Sequence, residues 1–205
     1  MEKEENRVIS HYYSRKPKAP HRREIISDVI RGIPVEFIVE PGVFSHKRID
    51  PGTKLLLEVA QIPNKGVVLD LGCGYGVIGI VIAKLNLALK VYMVDINKRA
   101  VELAKLNAKL NNVENQVIIL HGDLYEPVNN IVFDLIITNP PFTAGFNVIE
   151  KIIINAEQHL KPKGSIQLVA RKAHNKVMEL LEKTYGNVEV LASKSGYKVF
   201  KSTKY

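Results

Sequence analysis

Along most of this chain, short apolar runs alternate with longer segments in which apolar residues recur at helical spacing. The short runs are rich in β-branched residues and lack strict alternation, which is typical of strands buried on both faces of a sheet. Such strands are predicted over residues 67–71, 90–94, 116–120, 133–137 and 165–170. Helices are predicted over residues 77–85, 98–110, 148–159 and 174–184. This alternation predicts the α/β class, with a doubly wound and mostly parallel sheet.

The segments at the two ends of this pattern are predicted to form hairpins. Residues 188–192 and 197–201 flank a Lys-Ser-Gly turn, and we expect them to close the sheet as an antiparallel edge, which gives seven strands in all. Residues 25–44 contain a Gly-Ile-Pro turn between apolar runs, so we expect a β hairpin that extends the main sheet. Thr53 is the predicted N-cap of an amphipathic helix that ends near residue 61.

The length and the apolar content of the chain are those of one globular domain. Residues 1–23 carry Pro17 and Pro20 without apolar periodicity, so we expect a basic N-terminal arm there and a single domain over residues 24–205. No apolar run reaches the roughly 18 residues of a membrane span, and the polar N-terminus lacks a signal-peptide core. We therefore expect a cytoplasmic protein with no membrane partner.

Charge changes this picture, because the formal net charge is +8 and the basic residues are clustered. Three intervals contain Lys and Arg without any acid: Arg15, Lys16, Lys18, Arg22 and Arg23; Lys161, Lys163, Arg171, Lys172 and Lys176; Lys194, Lys198, Lys201 and Lys204. One such interval is commonly only a solvated surface. Three of them favour a polyanionic partner, and nucleic acid is the expected one.

Neither a disulfide nor a metal centre is expected. Cys73 is the only cysteine, and its position among glycines favours a small buried residue over a nucleophile. The six histidines are scattered, with no spacing that would supply metal ligands.

A glycine-rich turn follows the first predicted strand of the main sheet. After Asp70, glycines at Gly72, Gly74 and Gly76 let the backbone turn sharply and approach a ligand, while Gly79 allows the next helix to pack closely. The spacing also satisfies the dinucleotide fingerprint, so a nicotinamide cofactor, or a tight turn with no ligand, remains an alternative. The turn predicts a binding loop.

Polar residues close four of the predicted strands. They are Asp70, Asp95, Asp123 and Asn139. Each alone is often just a helix cap. Because the carboxyl ends of parallel strands share one edge of the sheet, we expect all four side chains to converge on one crevice.

This series resembles the motifs of class I S-adenosylmethionine-dependent methyltransferases, from about residue 42 to the C-terminus. The resemblance implies a Rossmann-like fold, S-adenosylmethionine as cofactor, and 24–205 as the methyltransferase domain. It implies that Asp95 accepts hydrogen bonds from the ribose hydroxyls, while Asp123 and the backbone of Leu124 bind the adenine. The cofactor-binding residues implied by the resemblance are Phe44, Thr53, Asp70, Gly72, Gly74, Gly76, Asp95, Ile96, Asp123, Leu124 and Asn139.

The Asn-Pro-Pro-Phe sequence at residues 139–142 resembles the motif of enzymes that methylate nitrogen in planar amines or amides. The lone pair of such an amine is delocalised, which makes the nitrogen a poor nucleophile. In the family's mechanism the Asn oxygen and a carbonyl of the proline segment accept the amine hydrogens, and the aromatic ring stacks on the base. The resemblance therefore implies Asn139, Pro140 and Phe142 as catalytic residues.

Two further segments resemble the small-subunit ribosomal RNA guanine-N2 methyltransferases, and the whole chain is similar to their compact archaeal relatives. They are Gly-Val-Phe-Ser at residues 42–45 with Asp-x-Gly-Thr at 50–53, and Asn-Pro-Pro-Phe-x-x-Gly at 139–145. The resemblance implies guanine N2 of ribosomal RNA as the target. The bacterial enzymes also carry a degenerate second copy of the domain, so here the basic arm, the basic surfaces or a second protomer would have to hold RNA.

Several alternatives share parts of these motifs. Protein-glutamine methyltransferases and adenine-N6 methyltransferases use the same amine chemistry, whereas a nicotinamide dehydrogenase requires neither Asp70 nor the Asn-Pro-Pro-Phe sequence. A non-catalytic RNA-binding protein would not require the polar residues at the strand ends. The sequence also leaves monomer and homodimer open.

Overall fold

The computed structural model describes residues 23–45 and 47–205 of the chain. The strands are β1 Glu24–Ile30, β2 Ile33–Val39, β3 Gly66–Leu71, β4 Leu89–Asp95, β5 Val117–His121, β6 Phe133–Thr138, β7 Leu160–Ala170, β8 Glu189–Lys194 and β9 Tyr197–Thr203. The helices are α1 Pro51–Val59, α2 Val77–Leu85, α3 Lys98–Leu110, α4 Phe146–Ala156 and α5 His174–Tyr185. No helix in this part of the chain is long and apolar enough to cross a membrane.

Seven strands form one mixed, mostly parallel sheet in the order β5-β4-β3-β6-β7-β9-β8. The strands from β5 to β7 are parallel, as predicted. Helices α1, α2 and α3 contribute to the core on one face, and α4 and α5 to the core on the other. Strand order reverses between β3 and β6, where a crevice opens at the carboxyl ends of the strands.

The far edge of this sheet is antiparallel, as predicted, but the last strand of the chain is not the outermost one. β9 pairs with β7 on one side and with β8 on the other. Val199 and Phe200 of β9 are fully buried, whereas no residue of β8 is buried. The more apolar strand therefore takes the inner position, and the polar strand takes the edge.

The N-terminal hairpin forms as predicted, but it does not extend the main sheet. β1 and β2 form a separate two-stranded sheet. Its β2 strand is held by Asn107 of α3, whose Oδ1 accepts from Ile38 N at 2.7 Å and whose Nδ2 donates to Ile38 O at 3.0 Å. A buried side-chain amide thus occupies the backbone groups that another strand would have used.

The cap of α1 also differs from the prediction. Asp50, not Thr53, is the N-cap, and its Oδ2 accepts from Thr53 N at 2.9 Å. Pro51 follows at the first helical position, where its fixed φ favours the start of a helix. The Thr53 hydroxyl is therefore available for another contact.

Candidate active site

A cavity of about 300 Å³ lies at the carboxyl ends of β3, β4 and β6. It brings together residues that are far apart in the chain. Those among the predicted site residues that line it are Phe44, Thr53, Gly72, Gly74, Asp95, Ile96, Asp123, Leu124 and Asn139. The convergence expected for the strand ends is therefore present for three of the four polar residues.

The glycines of the turn between β3 and α2 divide into two groups. Gly72 and Gly74 have φ values of +75° and +57°, and a Cβ atom on either would meet nothing within 4 Å. A Cβ on Gly76 would lie 2.9 Å from Ile80 and 3.0 Å from Met93. The first two glycines therefore leave room beside the backbone, whereas Gly76 allows close packing and does not line the cavity.

Asp70 lies behind the glycine turn and does not line the cavity. Its side chain is fully buried, Oδ2 accepts from Gly79 N at 2.8 Å, and Oδ1 has no hydrogen-bond partner in the described part of the chain. Burial raises the pKa of Asp70 from 3.8 to about 7, and the nearby Asp95 adds to this rise. In this structure Asp70 ties the end of β3 to the first turn of α2.

Asp95 ends β4 and stands at the cavity wall. Its Oδ2 accepts from Gly74 N at 2.8 Å and its Oδ1 accepts from Asn97 N at 2.7 Å. Burial raises the pKa of Asp95, while these two backbone hydrogen bonds and His121 oppose the rise. The two amides fix the orientation of the carboxylate beside the glycine loop.

Cys73 lies between the open glycines, but its thiol is a buried group. Burial is the main reason that the pKa of Cys73 is raised, and Asp95 and Asp70 raise it further. The neutral thiol is a poor nucleophile. No group of three or more metal-binding side chains occurs within residues 23–45 and 47–205.

Asn139 follows β6, and two side chains fix its amide. Its Nδ2 donates to Asp50 Oδ2 at 3.0 Å and to Thr53 Oγ1 at 2.9 Å. A carboxylate only accepts, so the nitrogen must face Asp50. Both amide hydrogens are then used, and Oδ1 keeps its capacity to accept from a molecule in the cavity.

The sequence reasoning missed Asp50 as a cavity residue. Asp50 lines the cavity next to Asn139. The signal was present in the Asp-x-Gly-Thr segment, but a contact that spans 89 positions cannot be deduced from one sequence. Asn97 was missed too, and it lines the cavity while it caps α3 by accepting from Arg99 N at 3.0 Å.

The segment after Asn139 is arranged differently from the expectation. Pro141 lines the cavity, whereas Pro140 is buried outside it and its carbonyl accepts from Phe142 N at 3.0 Å. Phe142 is half-buried and packs against the core on the α4 face. Neither the Pro140 carbonyl nor the Phe142 ring contributes to the cavity wall in this structure.

Residues 34–201 of the chain match the family described as the methyltransferase small domain. The chain belongs to this family. Over 201 residues, this methyltransferase is 37% identical to the uncharacterized Bacillus subtilis protein YbxB, with 96% of this chain and 100% of that protein covered.

The methyltransferase is also similar to ribosomal RNA small subunit methyltransferase C from several bacteria. The protein of that name from Photorhabdus laumondii is 37% identical over 168 residues, which are 80% of this chain and 48% of that protein. The Mannheimia succiniciproducens protein is 40% identical over 164 residues, with 78% of this chain and 48% of that protein covered. The methyltransferase thus spans about half the length of these relatives.

A solved structure is similar over most of the fold. It is the T. thermophilus 16S rRNA N2 G1207 methyltransferase in complex with AdoMet and guanosine, with a TM-score of 0.82 and 30% identity. It covers 91% of this chain and 52% of that one. The methyltransferase described here is of class I, and its cofactor is S-adenosylmethionine.

The residues at the cavity fit this cofactor. Two glycines leave open space beside the backbone, and a carboxylate is held at the end of β4. The open loop suits the amino-acid end of the cofactor, and the carboxylate suits its ribose hydroxyls.

Proposed function

We propose that this methyltransferase transfers a methyl group to an exocyclic amino nitrogen in RNA, with guanine N2 of ribosomal RNA as the target. The observation that carries the proposal is the fixed amide of Asn139 at the cavity. An oriented acceptor is what a planar amine needs before its lone pair can attack. The names of the similar proteins support RNA, and ribosomal RNA in particular, as substrate. Such a substrate agrees with the cytoplasmic location expected from the sequence.

In the proposed mechanism, Asn139 Oδ1 accepts one hydrogen of the target amino group. This turns the nitrogen lone pair out of the plane of the base and toward the methyl group that the cofactor supplies. When bound, the cofactor would supply this methyl group on a sulfonium sulfur, so the S–CH3 bond breaks as the N–C bond forms and a neutral thioether leaves. The nitrogen then carries the positive charge, and the negative end of the Asn139 amide dipole stabilises it. No general base is needed, because the charged nitrogen is acidic and releases its proton to water.

Asp50 strengthens this effect through Asn139. A carboxylate that accepts from an amide N–H polarises the amide and makes its oxygen a better acceptor, because hydrogen bonds in a chain reinforce each other. The 3.0 Å contact between Asp50 and Asn139 therefore acts on the chemical step without a contact between Asp50 and the base. The Thr53 hydroxyl, 2.9 Å from the same nitrogen, fixes the second hydrogen.

The proposed cofactor contacts use the residues that line the cavity. Asp95 would accept hydrogen bonds from the ribose hydroxyls, Asp123 and the backbone of Leu124 would hold the adenine, and Gly72 and Gly74 would leave room for the amino-acid end. Asp70 acts from behind the loop, because it is buried outside the cavity.

The deciding experiment identifies the methylated product. The protein is incubated with labelled S-adenosylmethionine and, separately, with protein-free ribosomal RNA, assembled small subunits and a peptide release factor, and the products are digested for mass spectrometry. We expect N2-methylguanosine from one of the RNA samples. N6-methyladenosine as the product would correct the base, and methylglutamine in the release factor with unlabelled RNA would overturn the proposal.

A further inference from the structure

The sheet separates the basic residues of the C-terminal half into two groups. β7 begins at Leu160 and ends at Ala170, so Lys161 lies near its amino end and Arg171 just beyond its carboxyl end. Leu160 pairs with Phe133 and Ser165 with Leu135, so β7 bulges after Leu160 and is regular only from Ser165 onward. At a rise of about 3.3 Å per residue, the stretch from Ser165 to Arg171 alone holds the two edges on the order of 20 Å apart. Thr138 of β6 pairs with Leu168 of β7, so the carboxyl end is the one beside Asn139.

Five basic residues lie at this carboxyl edge, and we call them the carboxyl-edge basic surface. Arg171 and Lys172 follow β7, Lys176 is in the first turn of α5, Lys194 ends β8, and Lys198 of β9 pairs with Ala170. All are exposed except Lys198, which is half-buried. Within residues 23–45 and 47–205, none of the five forms an ion pair with an acid.

Lys161, Lys163, Lys201 and Lys204 lie toward the amino edge, and two of them have an acidic partner instead. Lys161 Nζ lies 2.7 Å from Asp134 Oδ2, and Lys201 Nζ lies 3.4 Å from Glu189 Oε2. Lys204 Nζ donates to a backbone carbonyl at 2.7 Å. Among the described residues of the second and third basic intervals, the cations without an acidic partner are therefore five at the carboxyl edge and two, Lys163 and Lys204, toward the amino edge.

Aromatic rings lie next to these cations. The Arg171 guanidinium is 5.5 Å from the centre of the Tyr197 ring, and Lys176 Nζ is 5.8 Å from the centre of the Phe146 ring. Both rings are half-buried and keep exposed surface. Proteins bind single-stranded nucleic acid by combining cations along its phosphate backbone with aromatic rings on which its bases stack.

Tyr197 also joins this surface to the site. A Cβ on Gly52 would lie only 2.6 Å from Tyr197 Cε1, so the ring packs directly on the start of α1. Two residues earlier, Asp50 holds Asn139. A strand of RNA bound over Arg171 and Tyr197 would thus pass next to the amide that orients the target amine.

We propose that the carboxyl-edge basic surface binds the phosphates of single-stranded RNA that flank the target base. This inference rests on the proposed function, since it assigns the RNA a path to the same cavity. The basic residues at the amino edge have no part in this binding.

The test compares two triple variants that remove the same number of charges. The first is Arg171→Gln, Lys172→Gln and Lys176→Gln at the carboxyl edge. The control is Lys109→Gln, Lys163→Gln and Lys183→Gln, whose lysines are exposed and lie toward the amino edge. Binding of a short fluorescein-labelled single-stranded RNA is measured by anisotropy over a series of salt concentrations, with thermal unfolding as a check on folding.

We expect the carboxyl-edge variant to lose roughly tenfold to hundredfold in affinity near 0.1 M salt. The slope of log affinity against log salt should become shallower by about 2, because each phosphate contact contributes roughly 0.7. The control should keep the wild-type slope. Equal losses in both variants, or no loss in either, would overturn the inference.

Two further measurements separate this inference from the proposed function. If the carboxyl-edge variant binds RNA like the wild type while the wild type methylates guanine N2, the proposed function stands. The assignment of RNA binding to the carboxyl-edge basic surface is then wrong. If the wild type methylates only protein, the proposed function fails. Poly-glutamate binding with the affinity of RNA, and with the same dependence on these three residues, would assign the surface to an acidic protein.

Discussion

At the scale of single residues, the chemistry depends on an amide whose orientation is set from another part of the chain. Asn139 gives both amide hydrogens to α1 and its cap, at 3.0 Å and 2.9 Å. Because the side chain is already fixed, substrate binding does not have to restrict it, and the entropy cost of binding is smaller. The orientation therefore exists before the substrate binds.

Asn139→Ala should lower kcat far more than it lowers cofactor affinity. Removal of one oriented polar contact to a developing charge costs roughly 3 kcal/mol, or about 100-fold in kcat. Single-turnover rates at saturating cofactor, with calorimetry for cofactor binding, measure the two effects. An unchanged methylation rate in the folded variant would remove Asn139 from the chemical step.

Asp50→Asn tests the polarisation separately from the helix cap, since Asn also caps helices well. Loss of the charge should lower kcat about fivefold, because hydrogen bonds to charged groups exceed neutral ones by roughly 1 kcal/mol. Asp28→Asn removes a carboxylate that pairs with Lys54 at 2.8 Å instead, and we expect normal turnover. Equal turnover in the two variants would show that the Asp50 charge does not act on Asn139.

Asp70 should make the free energy of unfolding fall as pH rises. The folded protein keeps a proton on Asp70 up to about pH 7, whereas the unfolded chain releases it near the ordinary value of 3.8. The folded state binds more protons between these values, so stability is highest below this window and decreases through it. A shift of this size corresponds to on the order of 4 kcal/mol.

Urea unfolding of the cofactor-free protein at several pH values checks this expectation. Asp70→Asn should flatten the dependence between about pH 4 and pH 7, although a slope of the same sign remains from Asp95, whose pKa is also raised. Glu102→Gln removes an exposed carboxylate and serves as the control. A slope that survives Asp70→Asn in full would show that Asp70 is ionised in the folded protein.

The sequence predicted which polar residues reach the cavity better than it predicted their contacts. Asp95, Asp123 and Asn139 line the cavity because the ends of parallel strands share an edge. Asp70 also lies at the end of a parallel strand, but its carboxylate accepts a hydrogen bond from Gly79 N and does not line the cavity. The backbone turn that the Phe142 amide closes decides which of the two prolines faces the cavity. The hydrophobic periodicity of the sequence does not predict such a turn.

At the scale of elements, the helices and parallel strands were predictable because each carries its own apolar pattern. The predicted bounds of α2 and α3 agree with the structure at both ends. The position of the hairpin and the place of β9 depend instead on which partner offers the better packing. Such choices between elements are made by tertiary contacts, which a single sequence does not display.

Asn107 helps to hold the hairpin in its position on α3. It bonds to both backbone groups of Ile38, and its Nδ2 also donates to Tyr75 O at 2.9 Å, which joins the hairpin to the glycine turn. Asn107→Ala should lower the free energy of unfolding by roughly 2–4 kcal/mol, because buried backbone groups lose their partners. Chemical unfolding measures this cost.

Asn111→Ala provides the comparison for Asn107. Asn111 also bonds to β2, at Glu36, but it does not reach the glycine turn. We expect weaker cofactor binding only for Asn107→Ala, since only that variant releases Tyr75 O. Equal cofactor affinity in both variants would show that the hairpin and the loop are not coupled.

At the scale of the whole molecule, the net charge of +8 is shared between residues 23–205 and the residues that precede them. The predicted arm at residues 1–23 lies outside the described residues, apart from Arg23. Arg23 Nε lies 2.9 Å from Glu40 Oε1, so this one basic residue of the interval is paired.

Deletion of residues 1–22 should reduce the salt dependence of RNA binding. The segment carries Arg15, Lys16, Lys18 and Arg22, and each phosphate contact contributes roughly 0.7 to the slope. The loss should be largely independent of RNA sequence and should add to that of the carboxyl-edge variant. If the truncated protein keeps the wild-type slope of log affinity against log salt, the basic residues of the arm do not contact RNA.

The place of β9 inside the sheet has a consequence for the protein while it is being synthesised. β8 leaves the ribosome first, yet β9 is its only partner among the described strands. β8 therefore has no strand to pair with until β9 has emerged. Tyr197 begins β9 and packs on Gly52, so the segment that carries Asp50 receives this contact last. The residues of the cofactor loop thus leave the ribosome before the residue whose packing supports the acceptor site.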